Sequence, residues 1–350
     1  MKTSSSEYRG QAPVRRSLVS RTEAFGTLPT GEIIQQYHLE NALGTVAKLI
    51  NYGATLTSLT LIDHDQQPVV VTLGFDTLQE YLTHPYYFGC TVGRVANRIA
   101  HGKFRYQDKF FQLSCNENPA SHLHGGNKGF DKVVWNAKII EKEDRIGVEF
   151  SYFSPDGEEG YPGNLKVSTT YYLTNTNELT IAYSATTDQP TALSLTNHTY
   201  WNLAGTGTIL DHELQIMADQ FLETDAMHLP TGKISSVTET DYDFREPQRI
   251  GARIHAISGY DNYYILSDET YAARVSDRVS GRSLTIYTTQ LGMQFYSGNY
   301  LPKPWTGFCL ETQGYPDAVN HAHFPSIILL PGEVYSHETK YQLCFSSRAG

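Results

Sequence analysis

Three successive runs decide the fold: Ile146-Gly147-Val148-Glu149-Phe150-Ser151-Tyr152, Leu165-Lys166-Val167-Ser168-Thr169-Thr170-Tyr171-Tyr172-Leu173 and Leu179-Thr180-Ile181-Ala182-Tyr183. In each, bulky side chains recur at every second position. That is the spacing of one strand face, so each run turns one side to a core and the other to solvent or a second sheet. Thr174-Asn175-Thr176-Asn177, between the second run and the third, reads as a hairpin turn. Leu284 and Ile286 repeat the alternation with Thr285 and Tyr287. Helix-like stretches are short, as around Thr77–Leu82, and the chain has no long repeat, heptads or interior low-complexity linker. The expected fold is all-β: one large antiparallel domain over 21–350, most simply a sandwich, after a flexible tail over 1–20.

Composition supports this and removes several function classes. The 350 residues include 24 Tyr, 15 Phe and 28 Gly, a mixture suited to strands and tight turns. With 27 Lys+Arg against 37 Asp+Glu the formal charge is −10, which argues against nucleic acid or an anionic membrane as partner. No apolar run reaches the roughly 18 residues of a membrane span. The first residues lack the apolar stretch of a secretory signal, and their Ser and Arg content reads as tail rather than transit peptide. Cys90, Cys115, Cys309 and Cys344 are scattered, with no CxxC, so a disulfide scaffold or zinc ribbon is not expected and a reducing, cytoplasmic compartment is.

The chain lacks GxSxG, P-loop, HExxH and GxGxxG motifs. Two HxH pairs, His122/His124 and His321/His323, could share a strand face and hold a metal, but neither has a third ligand at a telling spacing. Polar and Gly-rich runs interrupt the alternation at Gly93–His101, Ser121–Asp131, Ser154–Gly163, Thr196–Leu203, Gly259–Tyr264, Gln290–Tyr300 and Thr306–Asn320. Chemistry is sought there, because function concentrates on segments held by a rigid scaffold. His198 lies among amides, hydroxyls and aromatics, a lining typical of polar ligand sites, although such a histidine alone is more often a satisfied core residue. Asn197-His198-Thr199 also matches a glycosylation sequon, discounted without a signal peptide. Glu311 would share a strand face with Cys309, opposite Phe308 and Leu310, as a solvated strand end or a tuned base. Arg94 and Arg98 read as structural guanidiniums or as donors to ligand oxygens.

Taken together these runs resemble the aldose 1-epimerases, the galactose mutarotases, over about residues 24–345. The resemblance rests on GRVANRIAHGKF (Gly93–Phe104), HGGNKGFDKVVW (His124–Trp135), SPDGEEGYPG (Ser154–Gly163), LTNHTYWNL (Leu195–Leu203), YTTQLGMQFYSGN (Tyr287–Asn299) and GFCLETQGYPDAVN (Gly307–Asn320), in the family's order. It implies a large antiparallel β-sandwich that opens and recloses an aldohexose ring with neither metal nor cofactor. It implies Glu311 as base and His198 as acid, with Asn97, Arg98, His124, Asp261 and Gln294 binding the sugar. Asn262 stands where relatives often carry His, Trp201 where Phe is common, and Gly314-Tyr315 where Asn-Trp is frequent. These departures touch sugar preference, not the matched catalytic groups.

A base and an acid on either side of the C1–O5 unit suit this chemistry, because one hydroxyl loses a proton while the ring oxygen gains one. Arg98 is expected to keep Glu311 ionised, and Asp261 to favour the imidazolium of His198. A silent sugar-binding protein would lack the acid or the base. A glycosidase would need two carboxylates flanking the scissile bond, and a hexose-phosphate epimerase a basic cluster. The expected partner is a small aldohexose, and a monomer and a homodimer are both compatible with the sequence.

Overall fold

A computed structural model of the chain describes residues 18–63, 66–117, 121–267 and 270–345. Its backbone is a nine-stranded antiparallel sheet. Along it run Asn136–Glu141, Arg145–Ser154, Leu165–Thr174, Glu178–Thr187, Tyr335–Phe345, Arg282–Thr288, Ala273–Asp277, Glu213–Ile216 and Gln248–Arg249. The three alternating runs are thus neighbouring strands, with Val148 opposite Tyr171 and Tyr171 opposite Ile181. Ile146, Val148, Phe150, Leu165, Val167, Tyr171, Leu173, Leu179, Ile181 and Tyr183 are all buried on one face. Tyr152 is only half buried and packs at the core's margin. The turn after Thr174 is held by the Thr174 hydroxyl, which accepts from the N–H groups of Thr176 and Glu178, and Asn177 takes the left-handed conformation there.

Two five-stranded sheets cover the inner face of this sheet. One comprises Val19–Thr27, Ile33–Glu40, Val46–Ile50, Thr55–Ile62 and Pro68–Val70. It contributes Leu39, Leu49, Leu56, Leu59 and Leu61 to the main core, and Tyr37 meets Phe150 edge-on at 5.7 Å. The other orders Pro230–Ser236, Gln220–Thr224, Asp261–Ile265, Gly292–Tyr296 and Cys309–Gln313, and contributes Phe221, Tyr264, Met293, Phe295 and Leu310. The apolar faces meet in one shared core, the condition that makes a sandwich stable. The first strand begins at Val19, so Val19 and Ser20, assigned to the tail from sequence, belong to the sandwich; the rest of the tail, 1–17, lies outside the described residues.

The helix falls at Leu78–Thr83. Thr77 caps it, its hydroxyl accepting from the Glu80 N–H and donating to the Glu80 carboxylate, as the Thr-x-x-Glu spacing prescribes. Among the described residues no helix is long and apolar enough to cross a membrane. Three polar runs read as interruptions, Gly259–Tyr264, Gln290–Tyr300 and Thr306–Asn320, contain strands of the second five-stranded sheet. Gly292–Tyr296 and Cys309–Gln313 are buried at every position; in the second, Leu310 enters the core while Cys309 and Glu311 face the other way, the strand faces expected from sequence.

Candidate active site

The register of that five-stranded sheet sets out one wall of the site. Glu311 lies opposite Gln294, Cys309 opposite Tyr296, and Tyr296 opposite Asp261. Period-two geometry therefore brings Asp261, Gln294, Tyr296, Cys309 and Glu311 to one face while Phe295 and Leu310 enter the core on the other. Gln294 Nε2 donates to Asp261 Oδ1 at 2.7 Å, fixing both side chains.

The opposite wall is assembled from the other polar runs. Thr196–Asn197 pairs with Thr91–Val92, and Trp201 bridges to Phe308, which carries His198 to the Cys309–Gln313 strand. Asn197 is sealed beneath, its amide donating to Gly89 O and to the Tyr171 hydroxyl, so it is a strut and not an exposed glycan acceptor. Arg98–Ala100 pairs with Ser121–Leu123, setting Arg98 opposite Leu123 and beside His124. The two motifs approach so closely that a Cβ on Gly125 would lie 1.7 Å from Gly93 O, and Gly125 has φ +88°, so only glycine serves there. Asn97, His124 and Tyr87 hold positive φ without being glycine, local strain of the kind that collects at ligand sites.

Asn97, Arg98, His124, His198, Asp261, Gln294 and Glu311, the seven residues selected from sequence, line a single cleft of about 280 Å³. The remaining candidates sort differently. Arg94 is structural: fully buried, it donates to Ser154 Oγ and to the carbonyls of Ser154, Pro155 and Pro162, tying Gly93–Arg98 to the Ser154–Gly163 run. His122 is also structural, with Nδ1 against Ser114 O at 2.7 Å and Nε2 against the Tyr161 hydroxyl at 2.6 Å. His321 and His323 are engaged by Asp317 and Gly232 O, away from this cleft.

At the floor, His198 Nε2 lies 3.7 Å from Glu311 Oε1, with the two residues 4 % and 2 % exposed. Glu311 Oε2 is buried without a hydrogen-bond partner. Burial raises the Glu311 carboxyl well above its ordinary range; the Asp261 carboxylate adds to this and Arg98 opposes it without prevailing. Burial likewise lowers His198 to about 4. The expectation that Asp261 would favour an imidazolium is therefore corrected: its charge bears on Glu311, and desolvation dominates His198. Neither group gains enough from the other at 3.7 Å to offset leaving water. Burial thus favours the uncharged form of each group.

The donors around the pair are oriented in advance. The Asn97 N–H donates to His124 Nδ1 at 3.1 Å, so His124, held neutral by burial, carries its proton on Nε2. His124, His198 and Glu311 bring ligand atoms within 4.8 Å of one another. With Nδ1 occupied and Nε2 protonated, however, His124 offers a donor to an oxygen and no lone pair to a metal. Asn97 Oδ1 accepts the Arg98 N–H. Arg98 is clamped by Glu117, Nε and Nη2 bonding the two carboxylate oxygens at 2.7 and 2.6 Å. Cys309 Sγ approaches His198 Nδ1 at 3.5 Å. The rings of Tyr200 and Tyr87 stack beside His198 at 5.1 and 5.7 Å, while Tyr296 and Tyr300 flank the opposite wall.

Tyr87, Tyr200, Tyr296, Tyr300 and Glu117 were not selected from sequence. Tyr200, Tyr296 and Tyr300 lie inside the quoted polar runs, so their signal was at hand. Tyr87 and Glu117 lie in no such run, and only the need of a buried arginine for a counter-charge points toward a residue like Glu117.

Fold and cleft together define a β-sandwich with a buried carboxyl–imidazole pair ringed by hydrogen-bonding side chains. Comparison with known proteins makes this specific. The chain belongs to the aldose 1-epimerase family, whose model matches residues 35–342. It is 45 % identical to the galactose mutarotase of Bos taurus over 93 % of this chain and 99 % of that one. It is 35 % identical to the aldose 1-epimerase of Escherichia coli K12 over 90 % and 96 %. Among solved structures, an aldose epimerase homologue from C. elegans superposes with a TM-score of 0.83 at 32 % identity, covering 89 % of this chain and 98 % of that one. Galactose 1-epimerase from Lactobacillus acidophilus gives 0.86 at 29 % identity, covering 95 % and 100 %.

Proposed function

We propose that the protein interconverts the α and β anomers of D-galactose and D-glucose by acid/base opening of the pyranose ring. The observation that carries this is the pair His198–Glu311, 3.7 Å apart at the floor of a cleft rimmed by Asn97, Arg98, His124, Asp261 and Gln294. Glu311 takes the proton of the C1 hydroxyl and His198 gives one to O5. The C1–O5 bond breaks, the aldehyde rotates about C1–C2, and the reverse transfers close the ring on its other face. One proton leaves the sugar and one enters, so the pair ends each opening with the proton count it began with.

Burial favours the neutral form of each group, and substrate supplies what shifts them. A C1 hydroxyl bonded to the Glu311 carboxylate stabilises its ionised form. Moving the pair's proton to His198 then costs no net charge. His124 Nε2–H, Arg98, Asn97 and the Asp261–Gln294 couple fix the hydroxyls, and the tyrosine rings offer faces to the C–H side of the sugar. A phosphorylated hexose fits poorly, since Arg98 is already paired with Glu117 and Asp261 adds a carboxylate.

Polarimetry tests the reading. Fresh α-D-galactose and α-D-glucose are mixed with wild type, Glu311→Gln and His198→Asn, and the approach to anomeric equilibrium is compared with buffer. Acceleration by wild type, largely lost in both variants, is expected. Folded wild type that leaves both sugars at the buffer rate would overturn it in favour of a sugar-binding role.

A further inference from the structure

A second cavity of about 210 Å³ lies beside the catalytic cleft and shares Pro85 and Tyr87 with it. Its polar lining includes Asp131, Lys132, Thr55, Asn127 and His84, the last held neutral by burial, and its apolar lining includes the aromatic rings of Tyr52, Tyr81 and Phe88. None of Asp131, Lys132, Asn127, Tyr52 or Tyr81 lines the catalytic cleft.

The decisive group is Asp131. Its side chain is only 9 % exposed, and Oδ1 is buried with no hydrogen-bond partner while Oδ2 lies 3.6 Å from Lys132 Nζ. The carboxylate is held beside the ammonium, and the part of its side chain that the cavity reaches can accept from a ligand hydroxyl. Lys132 is itself held, donating to Asn127 O at 3.0 Å. The carboxylate and ammonium balance each other, so the lining selects a neutral ligand with both donors and acceptors rather than an ion. Aromatic faces beside amides and a carboxylate are the complement of a sugar ring, one side C–H and the rim hydroxyl.

Tyr87 is the partition between the two cavities. Its ring meets His124 edge-on at 4.8 Å and stacks on His198 at 5.7 Å, and Lys132 Nζ lies 5.9 Å from its centroid. A ligand against Asp131 and Lys132 therefore presses on the residue that packs against the catalytic histidine. We propose that this cavity is a second binding site for a neutral aldose, coupled through Tyr87 to the pair His198–Glu311. The proposal rests on the reading of the first cleft as a sugar site.

The test uses 1,5-anhydro-D-galactitol, which has no anomeric hydroxyl and cannot turn over. Equilibrium dialysis of the labelled compound against the full chain counts sites. Two equivalents are expected for wild type and one for both Asp131→Asn and Asn127→Trp, the latter blocking the cavity from an exposed position. Inhibition of mutarotation is expected to be mixed in wild type and purely competitive in the two variants. One equivalent in wild type, or two that persist in both variants, overturns the second site. Pure competition in wild type overturns the coupling. Absence of mutarotation by wild type before inhibitor is added is a separate result that removes the enzymatic reading, while the dialysis count still decides the second site.

Discussion

Replacing Asp131 by Asn removes a charge that the fold holds at a cost. Burial outweighs the attraction of Lys132 and pushes the Asp131 carboxyl up from 3.8 to about 6. In the unfolded chain the group ionises near its ordinary value, so across this interval the folded state keeps a proton that the unfolded state has lost. Its stabilising effect is full below about pH 4 and disappears as the pH rises through 6. A shift of about two pH units corresponds to about 3 kcal/mol, of which about 2 kcal/mol falls between pH 4.5 and 8. With roughly 2.1 cal/mol/K of unfolding entropy per residue, a chain of 350 residues moves its midpoint by about 1.4 °C per kcal/mol. The amide introduced by Asp131→Asn does not titrate. The difference in Tm, variant minus wild type, should therefore be about 3 °C more positive at pH 8 than at pH 4.5. Scanning calorimetry at matched ionic strength measures it. A difference that does not change with pH, or that becomes more negative as pH rises, would refute the reasoning.

The pH dependence of kcat/KM follows from the proton count of His198 and Glu311. Activity should fall below about pH 4, where His198 takes up the pair's second proton, and again at higher pH, where the raised Glu311 carboxyl loses the last one; a profile that does not fall below about pH 4 contradicts this. Arg98→Lys cannot reproduce the two bonds to Glu117, and at about 1.5–3 kcal/mol for charged hydrogen bonds it should cost roughly 10- to 100-fold in kcat/KM, mainly through KM. Gly125→Ala places a Cβ against Gly93 O in a left-handed backbone, so a loss of about 3 kcal/mol or more is expected, read by thermal unfolding as a Tm lower by about 4 °C.

The sequence is most legible where one strand face is buried and the other is wet. Ile146 through Tyr183 alternate because the sheet they form has a core side and an outer side, and they announce the sandwich unaided. Gly292–Tyr296 does not, because a core covers one face and the cleft wall the other; in Cys309–Gln313 the opposition of Leu310 to Cys309 and Glu311 is what the sequence shows. Gln294 and Glu311 stand on the cleft face between the core-facing Met293, Phe295 and Leu310, so by sequence alone these buried polar positions read like solvated ones. Motif order selected the seven cleft residues without supplying their electrostatics. The influence of Asp261 on Glu311 depends on a register between strands distant in sequence. Glu117 and Tyr87 act through contacts with Arg98, His124 and His198 that no local pattern encodes.

The same burial that hides these strands gives the chemistry its form. A carboxylate and an imidazolium in water would each keep their own proton balance, and raising the pH past the histidine's ordinary value would discharge the acid. Desolvation moves His198 down and Glu311 up, so the pair retains a single proton over the interval between them. Within that interval the proton can reside on either group at no change in net charge. In the proposed reaction, ring opening needs one site to accept while the other donates, and ring closure needs the reverse. A pair that holds one proton and can pass it in either direction through the C1–O5 unit meets both demands without exchanging a proton with solvent in mid-reaction.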